Sequence, residues 1–165
     1  NTVNFKQDHG NALYRRSMYT FWKRTAPPPS MALFDAPSRE ECSVRRERTN
    51  TPMQALTLMN DVQYVEAARN FAQRMLTEGG KTPQERITFA FRTATARNPD
   101  AVEMSVFLDV LQSHRKEFSG NKEAALKLVS LGESKRDEKL DVAELAAYTM
   151  LGNLILNLDE TVTKG

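Results

Sequence analysis

Hydrophobic positions recur along most of the chain at spacings of three and four residues, and no stretch alternates between apolar and polar residues. Such spacing places apolar side chains on one side of an α-helix, whereas a half-buried strand alternates with a period of two. The pattern therefore predicts an all-α fold. We expect an orthogonal bundle of about six helices, with a long proline-containing arm packed on it, formed as one domain over residues 1–165.

The first predicted helix covers residues 11–24 and ends at three consecutive prolines, residues 27–29. Prolines lack a backbone donor and favour an extended path, so the helix cannot continue through them. Its apolar side consists of Tyr14, Met18, Phe21 and Trp22.

Residues 25–50 form the predicted arm. Because loops of this length in compact domains usually contain structure of their own, we expect the arm to be ordered. Ser38 and Glu41 have the spacing of a capping box, which predicts a short helix from Ser38 through Arg46.

A strong helix start follows the arm. Thr51 is a typical cap, Pro52 suits the first helical position, and Gln54 stands three residues after the cap. The apolar stripe that begins here extends to Met75. A second cap signal at residues 60–61 predicts either a kink in one long helix or a break into two.

Four later segments carry helix signals. Residues 82–85 repeat the threonine-proline start, residues 98–99 open another helix that stops at 119–120, and residues 121–131 form a shorter helix. Asp141 caps the last helix, with Glu144 three residues after it. Residues 133–139 contain no apolar side chain and are predicted to be a solvated loop.

Composition narrows the class of protein. The chain is 40% hydrophobic and 27% charged, close to the averages of folded proteins, which argues against a disordered or fibrous chain. The single cysteine, Cys42, excludes an internal disulfide and a CxxCH haem attachment, so we expect no cofactor in this domain. The most apolar window, residues 142–158, is shorter than the roughly 20 residues that span a bilayer, so we expect no membrane span.

Charge is distributed unevenly along the chain. Residues 1–50 contain nine Lys/Arg and five Asp/Glu, whereas residues 101–165 contain eight and eleven. The small net charge of +2 does not favour nucleic-acid binding, and we expect none. The sequence begins at Asn1 without a basic and apolar leader, so we expect it to be the C-terminal module of a larger protein whose targeting signal lies upstream.

Familiar catalytic motifs are not found. His9 and His114 do not form a metal-binding frame, and the sequence contains no GxSxG, GxxxxGK[ST] or GxGxxG motif. Adjacent carboxylates such as those of Glu40 and Glu41 have the chemistry of a glycosidase pair, but adjacent acids are usually solvated surface charge. We predict no catalytic residue from the sequence.

The candidate polar site is the arginine-rich end of the arm together with the acidic C-terminal turn. Arginine forks match carboxylate and sulfate oxygens, but the interleaved glutamates equally predict an ion-paired network that ties the arm down. We further predict that Arg45 or Arg48 pairs with Asp159 or Glu160. The candidate residues are Arg45, Arg46, Arg48, Asn50, Thr51, Gln54, Asp159 and Glu160.

Four segments resemble one known family. They are LYRRSMYTFWKRTAPPPSMALFDAPSREECSVRRERTNTPMQALTLMND, QYVEAARNFAQRM, AFRTATARNP and AELAAYTMLGNLILNLDE. Together they resemble the planctomycete-specific domain of unknown function at the C-terminus of large cytochrome-c-associated proteins. Where many members carry proline after the Asn-Asp pair, this chain has Val62.

The resemblance implies what kind of larger protein the chain belongs to, and not a reaction that it catalyses. It implies an exported, extracytoplasmic multidomain protein with a cytochrome-c-like module upstream, where any haem would lie. Two functions remain open: a non-catalytic helical module that docks upstream domains, a glycan or a protein ligand, and an enzyme or enzyme subunit in polysaccharide degradation. The resemblance implies no catalytic residue for this domain.

Overall fold

The computed structural model describes residues 4–23, 25–45 and 48–163. Its regular structure consists of α-helices and two short 3₁₀ turns, and the described residues contain no strand beyond an isolated bridge between Lys23 and Ala26. The all-α prediction is confirmed. Backbone proximity divides the chain into two compact units, Asn1–Gln54 and Ala55–Gly165, called here the N-terminal and C-terminal units. The predicted arm lies within the N-terminal unit.

The N-terminal unit contains little regular structure. Its elements are the 3₁₀ turns Gly10–Ala12 and Ser17–Tyr19 and a five-residue helix, α1 (Pro29–Leu33). The predicted α-helix over residues 11–24 is therefore wrong for the described part of that range. A short helix gains most of its stability from packing its apolar face, and here Met18 and Phe21 are 72% and 79% exposed.

Two predictions for the arm are also wrong. The proline run does not stay extended, because Pro29 serves as the first residue of α1, a position that tolerates its missing donor. No helix starts at Ser38: its Oγ accepts from the backbone N of Glu40, and Arg39 has a φ of +64°, outside the helical region. Arg46, the predicted end of that helix, lies outside the described residues.

The next two helices, α2 (Pro52–Asn60) and α3 (Val62–Glu78), show that the apolar stripe breaks rather than kinks. Asp61 caps α3 by accepting from the backbone N of Gln63. Side-chain amides satisfy two carbonyls near the end of α2: Asn60 Nδ2 donates to Leu56 O, and Asn153 Nδ2 donates to Leu58 O. The break thus forms with valine, not proline, at position 62.

The remaining helices are α4 (Pro83–Thr95), α5 (Ala101–Gly120), α6 (Lys122–Val129), α7 (Val142–Leu156) and α8 (Asp159–Val162). A full capping box begins α4, as predicted from residues 82–85. The start predicted at residues 98–99 is displaced: Asp100 caps α5 and forms a capping box with Glu103. Asp141 caps α7, as predicted.

Helix α7 lies at the centre of the C-terminal unit and packs against α3, α5 and α6. Its own side chains are apolar or small on nearly all sides, and nine of its fifteen residues are buried, as expected for a helix with neighbours in several directions. Gly152 permits close contact with α3, because a Cβ there would lie 3.3 Å from the carbonyl oxygen of Ala68. Among the described residues, no helix is long and apolar enough to cross a membrane.

Candidate functional site

Two of the predicted site residues, Thr51 and Gln54, belong to a hydrogen-bonded network at the start of α2. Thr51 N donates to Gln54 Oε1 (2.8 Å), and Gln54 N donates to Thr51 Oγ1 (3.3 Å), which completes the predicted capping pair. The Gln54 amide is buried, and its Nε2 donates to Leu33 O (2.8 Å) and Thr49 Oγ1 (2.9 Å). These two residues therefore stabilise the unit's structure.

The far end of this network is Asp35. Its carboxylate accepts hydrogen bonds from both the backbone N (2.8 Å) and the Oγ1 of Thr49. Asp35 has a φ of +58°, a conformation that aspartate tolerates better than most residues. The network joins α1, through Leu33 O, to Gln54 and to Thr49, which lies two residues before the Thr51 cap, so it tethers positions near both ends of the arginine-rich segment, residues 39–50. Sequence analysis missed Asp35 because its partners lie 14 and more residues away.

The arginine-rich segment itself remains at the surface. Arg45, Arg48 and Asn50 are exposed, whereas Arg46 lies outside the described residues. The segment thus divides into a partly buried cap network and exposed arginine side chains. Thr51 and Gln54 belong to a structural network, and an anion site at the exposed arginines stays a prediction.

The acidic C-terminal turn is engaged within the C-terminal unit. Glu160 accepts from Arg97 Nε (3.0 Å) and from an Arg97 terminal nitrogen (2.8 Å). Asp159 is the first residue of α8. The pairing of Arg45 or Arg48 with Asp159 or Glu160 stays a prediction.

Arg97 joins three elements of the C-terminal unit. Besides Glu160 on α8 it binds Glu103 on α5 (2.6 and 2.9 Å), and its guanidinium lies 4.7 Å from the ring centroid of Phe91 on α4. Hydrogen bonds from Arg97 and from the backbone of Asp100 lower the pKa of Glu103 to about 2. This exposed network fastens α8 to the body of the unit.

The most deeply buried ion pair links Glu66 and Arg69 on α3, which are 2% and 1% exposed. The Glu66 carboxylate accepts from the backbone N atoms of Glu133 and Ser134. Arg69 donates to the carbonyl oxygens of Val129, Leu131 and Ser134. The loop predicted to be merely solvated is therefore bound through its backbone to a buried pair, which sequence analysis missed.

A second polar cluster lies between α4, α5 and α7. Arg115 binds the Glu144 carboxylate in a two-point contact, and Arg86 Nη1 lies 3.9 Å from the same group. Both guanidinium groups lie about 5.5 Å from the ring centroid of the fully buried Tyr148. The backbone N of Glu144 thus donates to the Asp141 cap of α7, whereas arginines hold the Glu144 side chain.

Exposed apolar side chains concentrate in the N-terminal unit. Seven of the fourteen large hydrophobic residues that are exposed in the described part of the chain lie within the first 54 positions. Four of them occur in the short segment 14–23, which also contains Arg15 and Arg16. The four are Tyr14, Met18, Tyr19 and Phe21, at 54%, 72%, 64% and 79% exposure.

The basic residues of this segment are also distinctive. No described carboxylate lies within ion-pair distance of Arg15 or Arg16, and Arg39 stacks on Trp22 with its guanidinium 4.9 Å from the ring centroid. Apolar, aromatic and unpaired arginine side chains are the composition of a protein-binding surface. We call residues 14–23 together with Arg39 the aromatic-basic surface. Within the described ranges, no three metal-ligating side chains are grouped to hold an ion.

The fold and these sites define a helical protein whose N-terminal unit carries an aromatic-basic surface. Its family is shown by comparison: the chain belongs to PSD1, described as a protein of unknown function (DUF1553), whose family model matches residues 1–111. The match covers the N-terminal unit and ends within α5. No curated protein and no solved structure matches the chain.

Proposed function

We propose that this chain is a non-catalytic docking module that joins the other domains of an exported, cytochrome-c-associated planctomycete protein. The observation that carries the proposal is the aromatic-basic surface, where large apolar side chains remain exposed beside unpaired arginines. Contiguous exposed apolar groups are typical of interaction sites. Aromatic residues and arginine also dominate the energetics of such sites.

The network around Gln54 supports this role. It joins Asp35 to Thr49 and Gln54, so Arg39 of the surface lies between two tethered positions of the chain. Restricting Arg39 in this way reduces the conformational entropy that this part of the surface loses when it binds. The module itself needs no haem in this account, since the cofactor belongs to a domain upstream.

A binding measurement tests the proposal. The chain is mixed with the separately produced upstream part of its natural protein, and the dissociation constant is measured by calorimetry. Replacing both Tyr19 and Phe21 by serine should weaken binding at least about a hundredfold, because such anchors each contribute about 2 kcal/mol or more. The melting temperature should stay unchanged, since both side chains are exposed.

The matched control is Val102→Ser, because Val102 is 73% exposed on α5. This variant should bind like the unmodified chain. Equal affinities for all variants, or no binding of the upstream part at any concentration tested, would overturn the proposal. Hydrolysis of a polysaccharide by the purified chain would replace it with the enzyme alternative.

A further inference from the structure

We infer that the aromatic-basic surface recognises an acidic protein segment that carries apolar side chains. The inference rests on the docking function proposed above and specifies its partner. It excludes two other anionic ligands, single-stranded nucleic acid and an acidic glycan, as the preferred occupants. Three observations on the N-terminal unit support it.

The first observation is charge complementarity. From residue 9 to residue 34 the sequence has four Lys/Arg and no Asp/Glu. Among the described residues of this unit, Arg15 and Arg16 have no carboxylate of the unit within ion-pair distance. A surface with several unpaired cations attracts an anionic partner.

The second observation is how arginines behave elsewhere in the same chain. Most arginines described in the C-terminal unit bind a carboxylate of that unit, as Arg69, Arg97 and Arg115 do. The chain therefore provides carboxylate partners where arginines serve its own fold. The unpaired arginines of the N-terminal unit await such a partner from another molecule or domain, and arginine forks match carboxylates in geometry.

The third observation is the kind of apolar group that stands beside the arginines. Met18 and Phe21 are the most exposed large apolar side chains of the segment, and neither carries a strong hydrogen-bonding group for sugar hydroxyls or base edges. Methionine is flexible and adapts to apolar protein side chains. An occupant that combines carboxylates with aliphatic or aromatic groups therefore fits the surface better than a polyanion alone.

The experiment uses the full chain and designed probes. The main probe is a peptide of alternating acidic and apolar residues, Glu-Leu-Asp-Phe repeated four times. One counterpart replaces the acids by lysine, a second replaces the apolar residues by serine, and a single-stranded oligodeoxynucleotide and heparin serve as polyanions. Binding of the acidic-apolar peptide should be at least about tenfold tighter than that of any other probe.

Two pairs of variants locate the contacts. Exchanging Arg15 and Arg16 for glutamine should weaken binding about tenfold and reduce its dependence on salt. The control Arg92→Gln removes an exposed arginine of α4 and should change neither. Phe21→Ala should weaken binding of the acidic-apolar peptide but not of its serine counterpart, whereas Val102→Ala should have no effect.

The outcomes separate this inference from the proposed function. If the upstream part binds through Tyr19 and Phe21 but without dependence on salt or on Arg15 and Arg16, the docking function stands and the acidic partner is wrong. Tighter binding of the oligodeoxynucleotide, of heparin or of the lysine peptide would also overturn the inference. If no probe binds and the upstream part does not bind either, both proposals fail.

Discussion

The two units of this chain differ in how far their apolar side chains are buried. In the C-terminal unit, aromatic and aliphatic residues from α3 to α7 form one buried core, whose largest members include Phe91, Tyr148 and Leu151. In the described part of the N-terminal unit, the buried apolar residues are only Ala26 and Pro28. The described part of the N-terminal unit is thus held by a polar network rather than by an apolar core, and seven of its large apolar side chains are exposed.

Arginines show the same difference. Most of those described in the C-terminal unit hold carboxylates on other turns or helices, as Arg97 does for α5 and α8. In the described part of the N-terminal unit, Arg15 and Arg16 have no carboxylate of the unit within ion-pair distance, and Arg39 stacks on an aromatic ring. The comparison teaches that residue type alone does not reveal an interaction site. What distinguishes the docking surface is that four of its large apolar side chains are exposed and that Arg15 and Arg16 have no described carboxylate of their own unit within ion-pair distance.

The largest expected effect comes from the buried pair of the C-terminal unit. Arg69→Met should lower the free energy of unfolding by about 3–5 kcal/mol, because Glu66 keeps a buried charge without its cation. The matched surface variant is Arg74→Met, which removes an ion pair that is about half exposed and should cost less than about 0.5 kcal/mol. Urea denaturation measures the free energy of unfolding of both variants. Equal losses would show that the buried pair stabilises the fold no more than the surface pair does.

A smaller loss is expected for Gly132→Ala. Gly132 has a φ of +91°, and a Cβ there would lie 2.3 Å from the Glu66 carboxylate, so about 1–3 kcal/mol should be lost. Gly120→Ala is the control, since open space surrounds that position and its φ is not positive. Chemical denaturation should find the control neutral. If Gly132→Ala left the free energy of unfolding unchanged, the loop could move away from Glu66 without a loss of stability.

Within the N-terminal unit, Thr51→Ala should cost about 1 kcal/mol through loss of the α2 cap. Affinity for a docking partner should remain unchanged, because the Thr51 hydroxyl faces the cap and not the aromatic-basic surface. Thermal unfolding and calorimetric binding of the same variant test both halves. Lost affinity at an unchanged melting temperature would place Thr51 in the binding site.

The smallest expected change concerns the pH dependence of the Arg97 network. The pKa of Glu103 is lowered from its ordinary value of 4.5 to about 2, so its carboxylate stabilises the folded state above 4.5. That contribution is lost as the pH falls from 4.5 towards 2. Glu103→Gln should therefore flatten the stability curve within this window only. Parallel curves for variant and parent between pH 5 and pH 2 would contradict the assignment.

Local signals were predictable from the sequence, because they depend on residues three or four positions apart. The caps at Thr51, Thr82 and Asp141 are examples. The helix over residues 11–24 failed because an apolar stripe forms a stable helix only when another element covers it.

Long-range polar contacts could not be predicted. Nothing in the sequence relates Glu66 to a loop 67 residues away, and Asp35 finds Thr49 only once the unit folds. Glu144 makes one contact of each kind. Its backbone N donates to Asp141 three residues earlier, as the capping pattern predicts, whereas its side chain binds Arg115, 29 residues away in the sequence.

The central claim is that the C-terminal unit has a packed core whereas residues 14–23 form an exposed binding surface. Hydrogen exchange measured by mass spectrometry tests it most directly, on the free full chain and on the chain bound to the acidic-apolar peptide. The account predicts slow exchange in α3 and α7 in both states, because their amides lie in a packed core. Residues 14–23 should exchange rapidly in the free chain and gain protection when the peptide binds. Protection of residues 14–23 equal to that of α7 in the free chain, or no gain on binding, would contradict it.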